Sequence, residues 1–274
     1  MAGRARVALL AMVGVTAVLY AVPQLHVVAY PLILIGTLVH ELGHGVAALL
    51  VGGSFESLRV YADGSGIAKV GHGGGNASQA IIAAGGLVGP AIAAAFLFPM
   101  ARRVGGARWA LGAVGVTLFI ALLLFVRNGF GIGLTAALAT VSLVIAVKGP
   151  AWLAQLALIF LAVQLSLSVY SSWDYLFTEQ AQTAAGAHPS DTAKMAEALV
   201  LPYWFWGAVC GAFSIVVLAA GSWLLVRSDR ATRRERKQRR ARKKHNRKGE
   251  RDVKTGDADV DEILAAADGS PGQR

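Results

Sequence analysis

His40 and Glu41, with His44 one helical turn on, are the residues of this chain best suited to chemistry. They stand in the run His40-Glu41-Leu42-Gly43-His44. Four residues apart on a helix, two histidines lie one above the other on one face. Their imidazole nitrogens can then take a single Zn²⁺, and Glu41 beside them can take a proton from water. The run lies inside Val27–Val51, where Glu41 is the one formally charged residue. Ionisable groups within such an apolar helix are costly and mark function. The plainer use of the motif is a structural histidine pair packed against neighbouring helices. A catalytic zinc usually keeps three protein ligands plus water, so the pair needs a third ligand from elsewhere in the chain.

The elements that must position this motif are apolar helices. At a rise of ~1.5 Å per residue, His40 is ~20 Å from the start of its run and His44 ~10 Å from the end. The site is therefore expected within the hydrocarbon zone, nearer the C-terminal end of the span. Gly36, Gly43, Gly45, Ala47 and Ala48 give this helix a surface of small residues that another helix can approach closely. After it, Ser57–Ala62 and Gly66–Val70 alternate on either side of Asp63-Gly64-Ser65-Gly66, which predicts a β-hairpin. An open hairpin edge can bind an extended peptide as an added strand. An ordinary polar loop is the alternative. Ala80–Met100 follows, with Gly85, Gly86 and Gly89-Pro90 predicting close packing and a kink.

Further apolar stretches are Val7–Val22, Trp109–Val126, Phe130–Val147, Ala151–Tyr170 and Tyr203–Val226. With Val27–Val51 and Ala80–Met100 they make about seven transmembrane helices. Arg4 and Arg6 ahead of Val7–Val22 read as the start of a signal-anchor helix rather than a cleaved signal peptide. Between the last two stretches, Ser171–Leu201 is polar and carries Asp174, Glu179, His188, Asp191, Lys194 and Glu197. Tyr203-Trp204-Phe205-Trp206 then opens the final span as an interfacial aromatic cluster.

Composition agrees. Of 274 residues 55% are hydrophobic and only 15% charged, where a soluble domain has about a quarter charged. Residues 1–226 hold 10 Lys/Arg against 7 Asp/Glu, or +3, and residues 227–274 hold 16 against 9, or +7. The basic character thus belongs to the tail, where Arg227–Arg251 alone has 14 Lys/Arg. A basic run directly after a span predicts a cytoplasmic side and contact with anionic lipid, and nucleic acid is not an expected partner. A cytoplasmic tail with seven spans places the N-terminus outside; an even count places it inside. Cys210 is the single cysteine, so no intrachain disulfide exists. The expected fold is an all-α polytopic membrane protein with a short β-hairpin after the motif helix. Residues 1–226 form its membrane domain, and 227–274 a disordered tail, basic and then acidic.

HELGH within a transmembrane helix resembles the site-2 protease family of intramembrane zinc metalloproteases. The order of further elements resembles that family's compact bacterial branch: the hairpin LRVYADGSGIAKVG, then AGGLVGP opening a helix, then SDTAKMAEAL before an aromatic-rich last span. The resemblance implies a multi-pass protein of the cell membrane that hydrolyses peptide bonds of membrane-protein or peptide substrates. It implies a Zn²⁺ cofactor held by His40 and His44, with Glu41 as catalytic base. Well-studied members supply the third ligand as an aspartate in an LDG motif, which this chain lacks. Asp191 is the first candidate, because it follows His188-Pro189-Ser190 and begins a helical run where that aspartate would fall. Ser190-Asp191 is also a normal helix start. Asp174, His188 and His72 remain the alternatives. The rival function is a non-catalytic membrane scaffold or transporter that retains a metal site.

Overall fold

The computed structural model describes residues 10–16, 18–19, 22, 26–171, 176–184, 186–225 and 238. The motif lies on helix α1 (His26–Leu50), which runs through Pro31 without a break. A five-residue chain reversal separates strands β1 (Ser54–Val60) and β2 (Gly66–Gly71), which pair antiparallel with a bulge between Phe55 and Ser57. Asp63 shapes that turn: its Oδ1 accepts from the amide and the hydroxyl of Ser65, at 2.9 and 2.6 Å, and these bonds hold its carboxyl below the usual range.

Helices α2 (Gly75–Met100), α3 (Val104–Leu124), α4 (Gly129–Lys148) and α5 (Ala151–Ser171) follow. α2 begins five residues before the predicted Ala80 and takes in Asn76 and Gln79. Strands β3 (Gln180–Thr183) and β4 (Gly186–Pro189) then form a second antiparallel hairpin. This hairpin is an addition to the expected fold. Its strands are four residues each and its turn lacks the Asp-Gly or Asn-Gly signal that announces the first one. The short helix α6 (Asp191–Leu199) and the final helix α7 (Tyr203–Leu225) complete the described chain.

Among the described residues, six helices are long and apolar enough to cross a membrane: α1 to α5 and α7. Residues 10–16 and 18–19 are helical as well. Apart from Val22, the rest of the predicted first span lies outside the described residues, as does the tail 227–274 apart from Gln238. Large apolar side chains such as Phe96, Trp109, Leu123, Trp152 and Trp223 point outward. That is the pattern of helices whose outer faces meet lipid.

Three buried clusters hold the elements that carry the site. Leu34 and Leu38 of α1 pack with Phe55, Leu58 and Val60 of β1 and with Leu118 and Ala139 of α3 and α4. This seats the first hairpin on the motif helix, reinforced by Phe55 stacked on Phe125 at 4.0 Å. Phe98, Leu111, Leu158, Ile159 and Ala162 join α2, α3 and α5. Ala83 and Leu87 of α2 pack with Met195 of α6 and Cys210 of α7. That last cluster fixes α6 against α2, and α2 in turn lies along α1.

Candidate metal centre

α1 and α2 approach so closely at the motif that glycine is required on both. A Cβ on Gly43 would run into the carbonyl of Gly85, and one on Gly86 into the His44 ring. Of the small residues expected to form one surface on α1, Gly43 and Ala47 receive α2, whereas Gly45 faces the Phe55 ring of β1 and Gly36 faces Ser168 of α5. The approach brings the Ile82 carbonyl 2.7 Å from His44 Nδ1. A carbonyl only accepts, so Nδ1 carries the proton, and in the neutral ring Nε2 presents its lone pair.

Asp191 is positioned from the other side by the start of α6. Ser190 is its N-cap, accepting from the Ala193 amide at 3.1 Å. The same hydroxyl donates to the Thr178 carbonyl at 2.6 Å, and the Ser190 amide donates to Glu179 O at 2.9 Å. These bonds tie the helix start to the second hairpin and direct Asp191 inward, where its side chain is 1% exposed. Asp191 Oδ2 lies 3.0 Å from Nε2 of both His40 and His44, and the two Nε2 atoms are 3.2 Å apart.

The donor set fits a divalent cation of the zinc type. Two imidazole nitrogens and one carboxylate oxygen converge, and all three can present lone pairs to the same point. Metal–ligand distances of about 2.0–2.2 Å in a tetrahedron put ligand atoms about 3.3 Å apart, close to the spacing found here. Among the described residues, this is the one group of three or more metal-ligating side chains brought together. His72 and His188 line the adjoining cleft without joining it. Asp174 lies outside the described residues.

Glu41 sits between two cavities. One, of about 570 Å³, is lined by Glu41, His44 and Asp191, by β2, and by Ala181 and His188 of the second hairpin. The other, of about 330 Å³, lies beyond Glu41 and includes His40, Thr37 and Pro90. Gly66 at the start of β2 abuts Glu41: a Cβ there would come within 2.7 Å of Glu41 Cγ and of Thr37 Cγ2. The two hairpin turns meet above the motif, where the Ala184 amide donates to Ser65 Oγ at 3.2 Å.

The two edges of the first hairpin differ. β1 is covered on its outer side, where Leu58 exchanges bonds with Phe125 O and the Arg127 amide at 2.8 and 3.0 Å. Asn128 completes that edge by bonding both the amide and the carbonyl of Val60, at 3.2 and 2.6 Å. β2 pairs with β1 alone among the described strands, and its residues Gly66–Val70 line the larger cavity. Neither Asn128 nor Lys194, which bonds Asp191 Oδ1 at 3.1 Å, stands out in the sequence as part of the site. The spacing of Lys194 three residues after Asp191 was a usable signal, because i and i+3 share a helix face.

An apolar helical bundle with a His/His/Asp group beside a cavity lined by Glu41 is compatible with a membrane metallopeptidase. Comparison with known families agrees: the model of the Peptidase M50B-like family matches residues 10–221. The chain belongs to that family, which is of the site-2 protease kind. No curated protein and no solved structure matches it significantly.

Proposed function

We propose that this protein is an intramembrane zinc metalloprotease that hydrolyses peptide bonds of membrane-protein substrates. The observation that carries the reading is the convergence of His40 Nε2, His44 Nε2 and Asp191 Oδ2 within 3.2 Å, with Glu41 on the cavity wall beside them. His40, His44 and Asp191 would hold the ion. Bound there, Zn²⁺ supplies Lewis-acid polarisation of a carbonyl and acidifies water.

Glu41 is the base. Glu41 borders both cavities yet is only 7% exposed as a residue, so it meets the cavities from a largely buried position. It takes a proton from the attacking water as the oxygen adds to the scissile carbonyl carbon. It returns that proton to the amide nitrogen as the C–N bond breaks. A helical substrate must unwind first, because its carbonyls are already hydrogen-bonded. The uncovered edge of β2 is suited to receive the unwound strand by backbone pairing, and Gly66 would bring that strand against Glu41. Fixed polar groups around the larger cavity, among them Ser57, Tyr61, Gln79 and Thr183, favour water there. The basic run Arg227–Arg251 supports a cytoplasmic tail that contacts anionic lipid.

The test is Glu41→Gln in cells that co-express a membrane substrate. The variant should keep its zinc while the cleavage products fall by about 10²–10⁴-fold, the usual worth of a general base. Identical fragments from wild type and variant would end the protease reading and leave a metal-binding scaffold.

A further inference from the structure

The buried carboxylate at the centre of the site has two oxygens, and they have different partners. Oδ2 of Asp191 faces both histidines, while Oδ1 accepts a hydrogen bond from Lys194 Nζ at 3.1 Å. Lys194 stands three residues further along α6, on the same face, and its side chain lines the larger cavity. Its side chain is 40% exposed, so the ammonium keeps much of its hydration, whereas the carboxylate it binds is 1% exposed. A charged donor on one oxygen makes the two oxygens chemically inequivalent.

That inequivalence matters for a catalytic site. A carboxylate free to turn can chelate a cation with both oxygens, closing a position that a hydrolytic site must leave open for water and substrate. Partners outside the ligand set orient metal-bound side chains, as Ile82 does for His44. We propose that Lys194 is a positioning residue that fixes Asp191 as a one-oxygen ligand. By holding Oδ1 it keeps Oδ2 toward the histidines and leaves a coordination position open. This inference rests on the metal reading given under Proposed function.

Zinc affinity of the purified full chain, measured by competition with a chromogenic chelator, tests it. Lys194→Met keeps side-chain length and helix propensity but removes the donor. It should bind zinc about 10–100-fold more weakly than wild type. Lys194→Arg keeps a cationic donor and should recover most of that loss. With Co²⁺ in place of Zn²⁺, the visible spectrum should change from an intense four-coordinate pattern in wild type to a weaker five-coordinate one in Lys194→Met. A purely structural role for Lys194 would not move that spectrum. If the Met variant does not fold, Lys194→Leu, which also lacks a donor, serves the same comparison. Wild-type affinity and spectrum in the neutral variant, or an equal loss in Lys194→Arg, would overturn the proposal alone. A wild-type chain that binds no zinc would overturn the metal reading, and this inference with it.

Discussion

Gly43→Ala is the most revealing single-atom change, because it adds one methyl group where two helix backbones touch. The new Cβ would meet the Gly85 carbonyl, with its carbon at 3.0 Å, and Gly86 Cα at 3.3 Å. None of these atoms can rotate aside. Restoring ordinary carbon contacts of about 3.5–4.0 Å requires α1 and α2 to separate by something on the order of 1 Å. The bond from His44 Nδ1 to Ile82 O, now 2.7 Å, would then stretch past the hydrogen-bond limit. Asp191 would move as well, since α6 is packed on α2 through Met195, Ala83 and Leu87. Overpacking of this kind costs about 1–3 kcal/mol. Loss of the orienting bond on His44 should weaken zinc binding by about 10–100-fold. Thermal melting and chelator competition on the purified chain read the two effects separately. Gly133→Ala is the control: it lies in α4 with nothing within 4 Å of the added Cβ, so zinc affinity should match wild type and melting should be unchanged or slightly raised by helix propensity. Wild-type melting and wild-type zinc affinity in Gly43→Ala would refute the close-approach argument.

Two further outcomes follow from the two strands of the first hairpin. Gly66→Val should leave zinc content unchanged while cleavage falls by about 10²-fold, since its side chain displaces Glu41 and obstructs the start of β2; quantified substrate fragments against metal content decide this. Asn128→Ala removes both side-chain bonds to Val60 and should cost about 1–3 kcal/mol. Faster hydrogen exchange at the Val60 amide is its local signature, and unchanged protection there would count against the capped-edge description of β1.

Much of the fold is legible in the sequence because a membrane restricts the choices. The long apolar runs had to be helices, and the observed boundaries of α4, α5 and α7 fall within a residue of the predicted stretches. The first hairpin announces itself through Asp63-Gly64 between alternating runs. The second does not, because Gln180–Thr183 and Gly186–Pro189 are short and mostly exposed, and their pairing is anchored by tertiary bonds to Ser190. α2 starts earlier than its hydropathy suggests, because 76–79 is helical despite its polar composition, entered through Gly75 at φ +74. For the site, His40 and His44 converge simply by helical spacing. The approach of Asp191 depends on how α6 sits on α2, which no local pattern encodes. Its place at a capped helix start narrows the choice among the acids of residues 171–201 without selecting one. Lys194 and Ile82 act through contacts that only the folded chain displays.

Metal analysis of the purified chain tests the central claim most directly. Wild type should carry one zinc per chain, Asp191→Ala should carry essentially none, and Asp174→Ala should retain it. A wild-type protein without zinc, or an Asp191→Ala variant that keeps a full complement, would contradict the account.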